Sequence, residues 1–176
     1  MEITDLIRTG SVTEPTDEET NDSERLTPGR AALLGVKGGL IATAVMTLYR
    51  LPLFRALPPT AEFWAKYVGS GEADEYFAES LLLHFLYGAV GGGLFGVGFG
   101  RFGFDGEDER LRGGLVTGFV YSLLMSVFGT KVVFPFVLDE SIEYDEKLVF
   151  HVGHAIYGLS LGTWLGSRNA FGEVYD

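Results

Sequence analysis

His84-Phe85-Leu86-Tyr87-Gly88 opens an apolar run, and His154-Ala155-Ile156-Tyr157-Gly158 opens another seventy positions later. Glycine then recurs every fourth residue, as Gly88, Gly92 and Gly96 in the first run and Gly158, Gly162 and Gly166 in the second. A spacing of four keeps the histidine and its glycines on one side of an α-helix. Both runs have the apolar length that a bilayer crossing needs, about twenty residues at 1.5 Å rise for roughly 30 Å of hydrocarbon. The decisive expectation is therefore an all-α, integral membrane four-helix bundle made of two tandem helical hairpins.

Outward from these runs, four spans are expected at about 31–50, 77–100, 113–138 and 147–167, within a transmembrane domain of residues 30–168. Lys37 is the one charge between Ala31 and Tyr49, seven residues from Arg30. That is about 10 Å along a helix axis, a distance a lysine stem largely covers by snorkelling; a buried functional lysine is the alternative. Lys131 near the end of the third span reads in the same way. Leu51-Pro52 ends the first helix, because proline lacks a donor and disfavours helix before it.

Pro58-Pro59-Thr60 then reads as a break and an N-cap. Phe63, Trp64, Tyr67 and Val68 fall on one face after it, as in a short interfacial amphipathic helix with its aromatics at headgroup level. A ligand-binding lid is the sharper alternative. Gly38-Gly39-Leu40-Ile41 in the first span matches Gly113-Gly114-Leu115-Val116 in the third. Each repeated unit is thus an entry helix, a connection and a His-Tyr-Gly helix, and a pseudo-twofold axis along the membrane normal is expected. The glycine ridges of the second and fourth helices are expected to face one another, since membrane helices associate by close backbone approach at small residues.

Residues 1–29 hold Asp17, Glu18, Glu19, Asp22 and Glu24 among Thr, Ser and Asn, and read as a disordered acidic tail without a secretory signal. Residues 169–176 form a polar C-terminal tail. The formal charge of −11 argues against a nucleic-acid partner, because neutralising phosphates takes basic surface. An acidic, lysine-poor exterior suits high salt, where self-repulsion is screened, and supports a halophilic setting. Absence of cysteine excludes disulfides and thiolate chemistry. Basic residues divide six to five between the two sides, with Arg25, Arg30, Arg101, Arg110, Arg112 and Arg168 on the side of the N-terminus. A cell-membrane protein with its N-terminus in the cytoplasm is the resulting expectation.

Polar side chains inside a bilayer are costly and turn to the bundle interior. His84, His151, His154, Tyr87, Tyr157 and Glu79 are accordingly the intramembrane candidates, with Glu146 as a further carboxylate. Imidazoles there relay protons, sense pH or hold a metal, and His84, His151 and His154 are the set a metal would use. The alternative is that each histidine makes a local polar contact near the interface. No catalytic constellation is found, and no cofactor is expected. Gly96-Val97-Gly98-Phe99-Gly100 lacks the preceding strand and the spacing of a dinucleotide loop, and the spans carry too few carboxylates for a di-iron bundle.

The His-x-x-Tyr-Gly segments, Pro58-Pro59-Thr60-Ala61-Glu62-Phe63-Trp64 and the acidic loops together resemble small uncharacterised four-span proteins of halophilic archaea. A fainter similarity is to the YagU-like inner-membrane family. The resemblance covers about residues 30–168 and implies a four-helix membrane fold without an assigned chemistry. The functional expectation is a structural or accessory subunit, or a small proton- or ion-coupled transport component, with the lipid bilayer as its surroundings and a homodimer or another membrane protein as partner. The alternative is a membrane-embedded, metal-dependent enzyme using the intramembrane histidines.

Overall fold

The computed structural model describes residues 27–53, 58–104 and 106–168. Helix α1 spans Pro28–Arg50, the short α2 Thr60–Tyr67, α3 Phe77–Phe99, α4 Glu107–Phe128 and α5 Tyr144–Gly166. A π-helical segment, Gly129–Leu138, continues α4, and 3₁₀ turns lie at Leu51–Leu53 and Ala73–Tyr76. The described chain is all-helical. Three of its helical stretches, Pro28–Arg50, Ala73–Phe99 and Glu107–Leu138, are long and apolar enough to cross a membrane.

Several boundaries differ from the sequence expectation. The tail assigned to 1–29 gives up Pro28 and Gly29 to α1, because proline at the first helical position forfeits a donor with no partner there anyway. Residues 1–26 and 169–176 lie outside the described residues. The third span begins six residues early, at Glu107, where Glu107, Asp108 and Glu109 complement the positive end of the helix dipole. Its final ten residues widen into the π-helix around Pro135, which has no N–H to give the ladder. The fourth expected span, α5, is as long as α1 and α3 but falls outside the apolar class. Two histidines and a run of Tyr, Ser, Thr and Trp lower its hydropathy.

Burial runs opposite to that of a water-soluble bundle. The inward positions are small: Gly35, Gly38, Gly39, Ala42 and Thr43 on α1, Gly88, Gly92 and Gly96 on α3, Gly114, Gly118, Ser122 and Ser126 on α4. Large aliphatics point outward, with Leu82 70 %, Leu94 67 % and Leu124 65 % exposed. Such faces are aggregation-prone in water but cost nothing against lipid tails, where close packing at small residues holds helices together.

The glycine ridges do not face each other as expected. Each instead meets the preceding long helix. A Cβ on Gly92 would stand 2.6 Å from the Gly39 Cα, and one on Gly96 2.9 Å from the Gly35 Cα. A Cβ on Gly118 would stand 3.0 Å from the Gly162 Cα, and one on Gly114 3.1 Å from the Gly166 Cα. The two pairs, α1 with α3 and α4 with α5, then meet chiefly through α1 on α5. There Gly38 admits Trp164 and Leu161, and Gly153 admits Met46. The reason is geometric: a glycine edge lets backbones touch only where the partner edge is equally bare, and α1 and α4 carry that edge. Ala42, Met46, Phe95, Phe99, Tyr157, Leu161 and Leu165 fill the middle.

Candidate functional site

At the end of the bundle where α1 stops, helices α1, α3, α4 and α5, the π-helical segment and α2 line a cavity of about 370 Å³. His84, Tyr87, His154 and Tyr157 all line it, so the repeated histidines and tyrosines come to one place. They arrive in unlike states. Tyr157 is 4 % exposed and its hydroxyl donates to the Gly88 carbonyl at 2.7 Å, whereas Tyr87 is 45 % exposed. His154 is 8 % exposed and its ring lies 4.3 Å from that of Phe150, centroid to centroid. Its Nδ1 is 2.9 Å from the Phe150 carbonyl oxygen, which only accepts. Nδ1 therefore carries the proton, and Nε2 of the neutral ring is left as an acceptor. His84 is half-buried, and its Nε2 is buried without a hydrogen-bond partner among the described residues.

Most other polar groups in the wall are already committed. Thr43 Oγ1 donates to the Gly39 carbonyl at 2.7 Å, and Thr60 Oγ1 to the Ser80 carbonyl at 2.9 Å. That second bond corrects the capping expectation. The cap of α2 is Pro59, and Thr60 spends its hydroxyl on α3 instead of on its own helix.

Helix α2 is fastened to the bundle rather than lying free of it. Ala61 is fully buried, and Pro59, Thr60 and Phe63 form part of the cavity wall. Lys66 Nζ donates to the Leu138 carbonyl at 2.9 Å, and the Tyr67 hydroxyl donates to the Val137 carbonyl at 2.6 Å. These acceptors are the last carbonyls of the π-helical segment, which no further turn can satisfy because the chain turns away at Asp139, whose φ is 61°. Beside them, the Glu62 carboxyl is held above its ordinary value by burial and by the nearby Glu140 and Glu72.

His151 and Glu79 do not join the pair. His151 Nδ1 lies 2.6 Å from Ser126 Oγ on α4, and neither His151 nor Glu79 lines the cavity. The expected metal set of His84, His151 and His154 is thus divided, and among the described residues no three of His, Cys, Asp and Glu gather into a metal-holding group. One turn separates His151 from His154, but the offset of three residues rotates His151 far enough to reach α4.

Arg50 is the cavity residue that sequence reasoning passed over. It is the last residue of the first span, and it lines the cavity in the field of Glu146 from the first turn of α5. Only the approach of α5 to the end of α1 reveals this, and no spacing within either segment carries it. Phe134 and Phe150, whose rings meet edge to face at 5.5 Å, likewise enter the wall from separate segments. No protein-family model, curated protein or solved structure matches the chain.

Proposed function

We propose that this chain is a small multi-pass integral membrane protein, a four-helix bundle of two tandem hairpins, acting as a proton- or ion-coupled transport component. The observation that carries the reading is that His84 and His154 line one cavity together with Tyr87 and Tyr157. A pair of imidazoles in a chamber lined mostly by apolar side chains is costly to keep, and ionisable groups kept at such a cost in a membrane serve ion or proton passage.

The same reading makes the chain a tandem duplication: glycine contacts of one kind recur in α1 with α3 and in α4 with α5. It also takes α5 as a fourth span, α2 as interfacial, and the N-terminus as cytoplasmic. The acidic composition and the resemblance to small proteins of halophilic archaea supply the setting. A structural or accessory role is the second reading. It is favoured by the wide aliphatic faces, on which Leu82, Leu86, Val90 and Leu94 stand exposed along α3, a surface for lipid, a second copy or another membrane protein.

Reconstitution into vesicles loaded with a pH-sensitive dye separates the two. Under an imposed potential the wild-type protein should carry protons above the protein-free background, and replacing both His84 and His154 with Gln should abolish that flux while helicity and monodispersity are kept. Flux that survives the double substitution, or a wild type with none, removes the transport reading and leaves the accessory one.

A further inference from the structure

Helices α3 and α4 meet around Tyr121, whose hydroxyl donates to the Gly91 carbonyl at 2.8 Å and whose ring lies 5.2 Å from that of Phe95. Toward the end where α1 stops, the chamber takes up the space between them, with Leu83 and Tyr87 of α3 on one side and Phe128 of α4 on the other. Tyr87 is 45 % and Phe128 53 % exposed, so this side of the chamber borders on the surroundings of the bundle. In the membrane reading those surroundings are lipid, and a molecule dissolved in the bilayer is the occupant at hand.

The walls narrow the choice further. Met46, Leu83, Met125, Phe128, Val133 and Phe134 make much of the lining. Such walls hold water poorly, since a buried water needs about two to four polar partners. A volume of about 370 Å³ lies at the low end of small-molecule sites, which suits one alkyl chain and not the two chains of a phospholipid.

The polar groups decide the head. The hydroxyls of Thr43, Thr60 and Tyr157 already donate to backbone carbonyls. Arg50 stands in the field of Glu146, so the wall calls for no further anion. A cation would meet no carboxylate, because among the described residues no Asp or Glu lines the chamber. What the wall leaves open is an acceptor. His154 spends its Nδ1 proton on the Phe150 carbonyl, and its Nε2 keeps a lone pair. A buried acceptor is costly to leave unmet, and a hydroxyl is the donor that brings no charge with it.

We infer that the chamber binds an uncharged single-chain lipid alcohol, its chain among the methionines and phenylalanines and its hydroxyl donating to His154 Nε2. The inference gives the site of the transport reading a cargo class. It rests on that reading only for movement of the cargo, and binding is measurable apart from flux.

The test uses the full-length protein in lipid nanodiscs and 1-dodecanol carrying a mid-chain diazirine as the probe. Photolabelling mapped by mass spectrometry should fall on residues 125–134 and should saturate. Unlabelled 1-dodecanol should displace the probe. Its methyl ether, with no proton to give, and dodecanoate, whose charge would leave water without a free cation to meet, should each compete roughly fivefold or more weakly. His154→Phe should bring the alcohol down to the level of the ether. If that variant fails to fold, the alcohol-against-ether comparison on the wild type still decides the hydroxyl. Val133→Trp, which fills the chamber without touching His154, should abolish the labelling, and Met125→Phe serves if Val133→Trp unfolds.

Equal competition by the ether, equal or better competition by dodecanoate, labelling that does not saturate, or labelling that survives a folded cavity-filling variant each overturns the inference. Saturable labelling without proton flux in vesicles would uphold it and remove the transport reading. Flux without labelling would remove this inference alone.

Discussion

The Tyr157 hydroxyl donates to the Gly88 carbonyl over 2.7 Å, joining the tyrosine of one His-x-x-Tyr-Gly segment to the glycine of the other. The bond is buried and spans the gap between α3 and α5, whose ridges otherwise turn to different partners. The two repeated segments are therefore tied at their heads, beside the cavity, while their glycine edges diverge.

Removing that tie is the most direct test of its worth. Tyr157→Phe deletes one hydroxyl and leaves the ring among Ala42, Met46 and Phe95. A loss of about 0.5–1.5 kcal/mol is expected, with values near 0.6 typical of hydrogen bonds between membrane helices. Unfolding of the wild type and the variant in mixed micelles measures it, and identical curves would show that the bond contributes nothing.

The glycine edges allow a paired comparison within one helix. Gly92 has no space for a methyl group, since its Cβ would meet the backbone of Gly35 and Gly39, whereas Gly98 has nothing within 4 Å. Gly92→Ala should force α1 and α3 apart and destabilise the fold by about 1–3 kcal/mol or more. Gly98→Ala should be neutral or stabilising by up to about 1 kcal/mol through helix propensity. The same micelle assay reads both, and a Gly92→Ala protein as stable as wild type would contradict the close approach of α1 and α3.

Helix α2 should depend on the two carbonyls it covers. Replacing Lys66 with Met and Tyr67 with Phe leaves the Val137 and Leu138 carbonyls without their donors. Faster amide exchange is expected over 58–68 and 129–138, with the paired glycine helices unchanged. Hydrogen–deuterium exchange by mass spectrometry resolves these segments separately, and uniform protection in the variant would show that packing at Ala61 and Phe63 suffices.

Glu62 supplies a pH dependence with a definite sign. Its folded-state pKa is raised, by burial first and then by Glu140 and Glu72, so the folded state binds a proton more readily than the unfolded chain. Its stabilising share is present at acid pH and is lost as pH rises through the folded value. Glu62→Gln should therefore raise the melting temperature slightly near neutrality and flatten its rise on acidification. A melting profile across pH for both proteins checks this, and a parallel shift without flattening would assign the effect to something other than the carboxyl.

Much of the helical layout was legible because it depends on local signals. The apolar run from Leu81 onward, Pro52 after the first span and the turn at Gly69–Asp74 place helix ends within a few residues. Where a boundary moved, the cause was local as well: acids at Glu107 extended α4 and Pro135 turned its end into a π-helix. The site was half legible. His84, Tyr87, His154 and Tyr157 stand out by their repetition, but His151 was grouped with them on spacing alone and reaches Ser126 instead. Arg50 could not be found that way, since its place in the cavity depends on helices far along the chain.

The amino-acid sequence by itself determined an all-helical chain with long apolar stretches, because helix periodicity and apolar length are properties of neighbouring residues. It also determined which helix faces are bare, since glycine spacing sets that within one helix. Only the tertiary structure decided which bare face meets which, sending Gly92 to Gly39 and Gly162 to Gly114 and Gly118 rather than to each other. It alone brought Arg50, His84 and His154 to one chamber. The physical reason is that a glycine edge is complementary to any other glycine edge, so the choice among partners rests on connection length and on where Trp164, Met46 and Tyr157 fit, and these are settled only when all the helices pack at once.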